Sequence, residues 1–174
     1  MKYKLVAFWL IVFGALFAFL QMCFEYHFYY IEQSQLFLFS EAYIRNKLLL
    51  PGGFSMLVAE FLVQFFIRPY VGALVTAVLL TGVGVCTAGI VRRIAPVSGL
   101  FILYVLPMLA LLFMHFDFNY RVQGTVCYLM MMALLCGYMR IRNDLFRLVA
   151  GCVLVPVLFW LAGSYCRLVC RNGL

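Results

Sequence analysis

Charge is what this chain has least of. Only 11% of its 174 residues are Asp, Glu, Lys or Arg, less than half of the roughly 25% usual in a soluble domain. Six residues are acidic, the aspartates being Asp117 and Asp144 alone, and there are two histidines. With so few polar groups to cover its surface, a water-facing globular domain of this size is excluded. The signatures of soluble catalysis are missing too: no Gly-rich phosphate loop, no Ser/His/Asp set, no Asp-x-Asp pair and no Cys/His spacing that reads as a metal site.

Apolar sequence takes their place, with 67% hydrophobic residues and a mean hydropathy of +1.07. The fold class this implies is all-α, a polytopic transmembrane helical bundle, since helices satisfy their own backbone in lipid. A net charge of +7 would suit nucleic acid, but the thirteen Lys and Arg stand singly or in pairs at the ends of apolar runs. That is a topology signal, and it excludes a nucleic-acid partner. Of the seven cysteines, Cys23, Cys86, Cys127, Cys136 and Cys152 lie in or beside apolar runs and read as small, lipid-compatible side chains. Cys166 and Cys170 sit in a polar tail with no second pair nearby.

One membrane domain is expected over 1–174, with five spans at about 5–24, 70–91, 99–114, 122–139 and 146–163. Phe54 to Ile67 makes a sixth if it crosses. It is short, carries Glu60 and Gln64, and is bounded by Pro51-Gly52-Gly53 and Arg68-Pro69. Positive charge decides its treatment. If the segment stays at the interface or dips and returns, Lys2, Lys4, Arg92, Arg93, Arg140, Arg142 and Arg147 share the inner face, as the positive-inside rule requires. This puts the N-terminus in the cytoplasm, in a bacterial inner membrane. The polar island 25–69 and the loop 115–121 then lie together on the outer side, while Asp144 remains inside, expected to pair with its neighbouring arginines.

The outer island has internal order. Over Glu32 to Lys47, Leu36, Phe39 and Tyr43 fall on one helical face and Glu41 with Arg45 on the other, which predicts an amphipathic helix on the membrane surface. Extended backwards, that helix aligns Glu25 and Glu32. Pro51-Gly52-Gly53 permits a tight reversal, and Glu60 is expected to reach water or Arg68. On the 70–91 span, Ala73, Ala77, Thr81, Gly84 and Ala88 form a stripe of small residues, a surface for close helix packing. A carboxylate beside lipid is costly unless it faces water, a partner charge or a substrate, so the island is the place to look for function.

This layout resembles the N-terminal module of GT-C type integral-membrane glycosyltransferases. The residues carrying the resemblance are the acidic first outer loop, the Pro51-Gly52-Gly53 step, the span closing on Arg92-Arg93, and the second outer loop with Asp117 and Arg121. The stretch Tyr30 to Leu74, with IEQSQLFLF, PGGFSMLVAEFLVQFF and PYVGAL, resembles more closely a family of bacterial membrane proteins with only a domain-of-unknown-function label. The GT-C resemblance implies a sugar carried on a polyprenyl phosphate, with Glu32 or Glu25 as base or divalent-metal ligand and Asp117 as the second-loop acid. It also implies Arg45, Arg68, Arg121 and Gln33 as substrate-binding residues, the arginines holding a lipid phosphate by charge-assisted hydrogen bonds. The family's usual first-loop residue is Asp, where this chain has only Glu. Because such enzymes carry further spans, the chain is expected to be the front part of a longer protein. The other reading is a non-catalytic membrane subunit or scaffold that packs through the small-residue face. A transporter is disfavoured by the lack of paired half-helices.

Overall fold

The computed structural model describes residues 2–34, 37–68, 70–94, 101–117 and 119–171, without the side chains of Lys2, Lys4, Glu25, Ser34, Phe101, Ala162 and 164–171. Among these residues there are helices and no strand. They are α1 (Lys2–Cys23), α2 (Glu25–Ser34), α3 (Glu41–Leu48), α4 (Gly53–Val63) with a 3-10 turn at Gln64–Ile67, α5 (Val71–Ile94), α6 (Phe101–Met114), α7 (Val122–Tyr138) and α8 (Asp144–Arg171). Three are long and apolar enough to cross a membrane: α1 over Leu5–Cys23, α5 over Val71–Ile94 and α8 over Asp144–Leu161. At 1.5 Å per residue, α6 and α7 rise only about 21 and 26 Å. Five full-length spans were expected from the hydropathy, and α6 and α7 are shorter than that.

α5 is the axis, with α1, α6 and α7 packed along it. Its small residues are the reason, because packing between helices in lipid depends on how closely their backbones approach. Gly84 sits under the Trp9 ring of α1 and beside Met108 of α6, and a Cβ there would come within 2.6 Å of the indole. Ala73, Ala77 and Ala88 of the same stripe are buried. The stripe that the sequence offered to a partner is thus filled largely by the chain's own α1 and α6. A second stripe was not anticipated: Gly82 and Gly89 receive Leu129 and Cys136 of α7.

These contacts fix direction. Trp9 of α1 lies against Gly84 and Phe28 of the following α2 against Gly72, so α1 runs antiparallel to α5. Arg92 over the Tyr104 ring does the same for α6, while Leu129 on Gly82 and Cys136 on Gly89 make α7 parallel to α5. Tyr138 meets Gly151, and Cys127 donates to the Leu161 carbonyl, so α8 returns along α7. One end therefore gathers Arg92, Arg93, Arg140, Arg142 and Arg147, with Arg93 donating to the Met139 carbonyl. The opposite, acidic end holds Glu32, Glu41, Glu60 and Asp117. At the basic end Asp144 and Arg147 make the expected local pair at 3.9 Å, both exposed.

α4 lies across the acidic end. At its start the Gly52 N–H donates to the Trp160 carbonyl, and the Ser55 hydroxyl sits 2.9 and 3.2 Å from the Gly52 and Leu161 carbonyl oxygens. Just past its end Phe66 packs edge-on to Phe28, which covers Gly72 at the start of α5. Both ends thus meet the same end of the bundle. The Pro51-Gly52-Gly53 step makes this possible: Gly52 takes φ 79°, and a Cβ on Gly53 would fall 1.7 Å from the Lys47 carbonyl oxygen.

Two expectations are corrected here. The single amphipathic helix from Glu32 to Lys47 is two helices, with residues 37–40 outside any helix. Phe37 turns away to pack against Phe39, Tyr43 and Phe61, and its carbonyl accepts from Gln64 Nε2 at 3.0 Å. That exchange of helical bonds for aromatic packing breaks the period. The last helix, expected to end at 163, continues through the polar tail to Arg171.

Candidate functional site at the acidic end

The acidic end is built on α2, which caps the bundle with Phe24 just before it and His27, Phe28 and Ile31 buried. Advancing about 100° per residue, these four form one inward face. His27 lies on one rim. Phe24 meets the His27 ring edge-on and packs at a tilt against Phe116, and the Asp117 carboxylate is near enough to favour a charged His27. Burial outweighs that attraction and pushes the His27 imidazole below its ordinary value of 6.5. His115 is pushed down as well, mainly by burial and in smaller part by His27, although its contact with the Leu111 carbonyl, 2.9 Å from Nδ1, opposes the shift. Its ring packs against Tyr120 at 4.9 Å, and its Nε2 is buried with no partner among the described residues.

Glu32 stands elsewhere. Five residues beyond His27, it is about 140° around the helix, half-buried and with no side-chain hydrogen bond or ion pair among the described residues. Its neighbour one turn back, Tyr29, lines a notch with Gln21, Arg68 and Tyr70. The notch encloses only about 10 Å³, the size of a single water. Tyr70 adopts φ 70°, a left-handed backbone uncommon outside glycine. Asp117 is exposed, and its Oδ1 accepts the Asn119 N–H at 2.9 Å. Glu32 thus stands on a different face of α2 from His27, the residue on which Asp117 acts.

The other predicted residues disperse. Arg45, Arg68, Arg121 and Gln33 are all exposed, on α3, after the 3-10 turn, at the cap of α7 and on α2 respectively. Arg45 and Glu41 form no ion pair among the described residues. The Glu25 side chain lies outside the described residues. Among those described, no group of three or more His, Cys, Asp and Glu can hold a metal ion.

The sequence missed the most constrained carboxylate. Glu60, buried on α4, accepts from the Tyr43 hydroxyl at 2.7 Å and pairs with Lys47, both on α3. Arg68, the partner expected from proximity in sequence, is not used. Burial and Glu60 raise the Tyr43 phenol above its ordinary value of 10.0, with Lys47 opposing them. The signal was available: a glycine reversal at 52–53 folds α3 back on α4 and brings position 60 beside 47 and 43.

The model of one protein family, described as a family of unknown function (DUF6057), matches residues 1–171. The chain belongs to that family. No curated protein and no solved structure matches it. The expected likeness to a domain-of-unknown-function family is thereby met, while nothing in these comparisons ties the chain to GT-C glycosyltransferases.

Proposed function

We propose that the chain is a multi-pass subunit of a bacterial inner-membrane assembly, its basic end and N-terminus cytoplasmic and its acidic end outside, contributing surface rather than chemistry. In this reading α1, α5, α6, α7 and α8 all span, and α6 and α7 fit by local thinning of the bilayer around shorter helices. The observation that carries it is how the acidic-end carboxylates are used. Glu60 fastens α3 to α4, Asp117 fastens its own turn, and Glu32 lies on the other side of α2. The contact surface is α8, of which only 6% of the spanning window is buried, against 50% for α5. A charged residue facing lipid or a partner helix is costly. Val153→Arg on the exposed face of α8 should therefore dissolve a larger complex seen after extraction in mild detergent, while Asp117→Asn should leave it intact. A complex that survives Val153→Arg, or a chain that migrates alone, refutes the proposal.

The finer reading, the front part of an enzyme that takes a lipid-linked sugar, is supported by one observation. Glu32 is half-buried without a partner among the described residues, one helical turn from the Tyr29 and Arg68 notch. There Glu32 would deprotonate an acceptor hydroxyl and Arg68 would hold the phosphate. Loss of sugar transfer in membranes carrying Glu32→Gln, at unchanged protein level, supports that reading. Retained transfer ends it.

A further inference from the structure

We infer that the groove between α6 and α7 at the acidic end holds an anionic phospholipid, an acyl chain lying in the groove and the phosphate on Arg121. The groove encloses about 320 Å³, in the size range of small-molecule sites, and its exposed lining is almost wholly apolar. Leu111 and Met114 form the α6 wall, and Gly124, Tyr128 and Met131 the α7 wall. Gly124, Tyr128 and Met131 recur four and three apart along one helical face, so the groove follows the helix axis as an extended hydrocarbon chain would. Gly124, without a side chain, leaves the upper part open.

The head of the groove is polar and positive. Tyr120 lines it, with its hydroxyl 3.1 Å from that of Thr125, an arrangement suited to the headgroup level of a bilayer. His115 packs directly behind the Tyr120 ring. Arg121 follows Tyr120 directly and caps α7 in an extended conformation, exposed and without an ion pair among the described residues. It begins α7, whose N-terminus has no side-chain cap, so first-turn N–H groups add to its positive field. An apolar channel whose head is Tyr120, the residue next to an exposed arginine, complements a molecule with a long apolar tail and a phosphate, and a guanidinium binds phosphate through paired hydrogen bonds. Asp117, four residues away, is turned into its own loop by the Asn119 N–H and leaves Arg121 available. The inference stands whether or not Glu32 performs chemistry.

Native mass spectrometry of the full chain in mild detergent tests it, with phosphatidylglycerol, phosphatidylcholine and inorganic phosphate as probes. One phosphatidylglycerol should remain bound under activation that strips phosphatidylcholine. Arg121→Gln should lower its retention about tenfold, and Gly124→Leu should lower it by filling the groove. Arg142→Gln at the basic end should leave it unchanged. Arg121 and Arg142 are both exposed, so neither substitution threatens folding. Equal retention of the two lipids, no effect of Arg121→Gln, or displacement by inorganic phosphate at millimolar concentration would each overturn the inference. The last would mark a free-anion site instead.

Discussion

Glu60 shows how a single carboxylate can be costly and still be kept. Two charges withdrawn from water recover their desolvation only with good geometry and further hydrogen bonds, and here Tyr43 supplies one of them. Lys47→Met alone leaves the Glu60 carboxylate buried with only a phenol, and we expect a loss of about 3 kcal/mol. Removing both charges in Lys47→Met with Glu60→Met should cost far less. Denaturation of the detergent-solubilised chain checks this, and a double variant as unstable as the single one would contradict it. His27 and His115 make the opposite kind of prediction. Both imidazoles are held below their ordinary value of 6.5, chiefly by burial. Between that value and the lower folded ones, the unfolded chain binds protons that the folded chain refuses. Their contribution is therefore complete above about pH 6.5 and is lost as the pH falls below it. Protection against hydrogen exchange at the junction of α2 with the loop after α6, corrected for the slower intrinsic exchange at lower pH, should fall on acidification through this window, and His27→Gln with His115→Gln should flatten the response.

At the level of elements, the close approaches at glycine decide what packs on what. Gly53→Ala forces a Cβ into the Lys47 carbonyl, and Gly84→Ala forces one into the Trp9 ring, whereas Gly14 has nothing within 4 Å. Both clashing variants should be destabilised by about 1–3 kcal/mol or more, Gly53 most because the obstacle is backbone. Gly14→Ala should be neutral or gain up to about 1 kcal/mol of helix propensity. A thermal-shift series on the three variants checks the order. How much of this was legible differs by element. The ends of α5 and α7 follow from Arg92-Arg93 and the charged residues around 140, because charge at a membrane boundary is a strong local signal. The Gly84 stripe was visible as spacing, but its occupant was not, since Trp9 is seventy-five positions away. The break of the surface helix at 37–40 was invisible for the same reason. It depends on Phe61 and Gln64, which arrive only once α4 has folded back. The Glu60 pair was hidden by assigning partners along the sequence rather than across the Gly52-Gly53 reversal.

For the whole molecule, the deciding question is whether the segment 53–67 crosses. Its start is fastened to Trp160 and Leu161 and its end to Phe28 and Gly72, all at the acidic end. A crossing helix would need its two ends about 30 Å apart across the hydrocarbon core, which both anchors forbid. In the proposed topology, with α4 lying across one end, Asn46 on α3 and Asn119 after α6 share a side, and Asn143 before α8 faces the other. All three are exposed. In a background with the native cysteines replaced, Asn46→Cys and Asn119→Cys should react with a membrane-impermeant maleimide added to intact cells. Asn143→Cys should react only after permeabilisation. Were α4 to cross, Asn46 and Asn119 would label from opposite sides, and the five arginines at 92, 93, 140, 142 and 147 would move to the face opposite the N-terminal lysines. The labelling pattern thus tests the charge argument and the helix contacts together, because only one of the two topologies satisfies both.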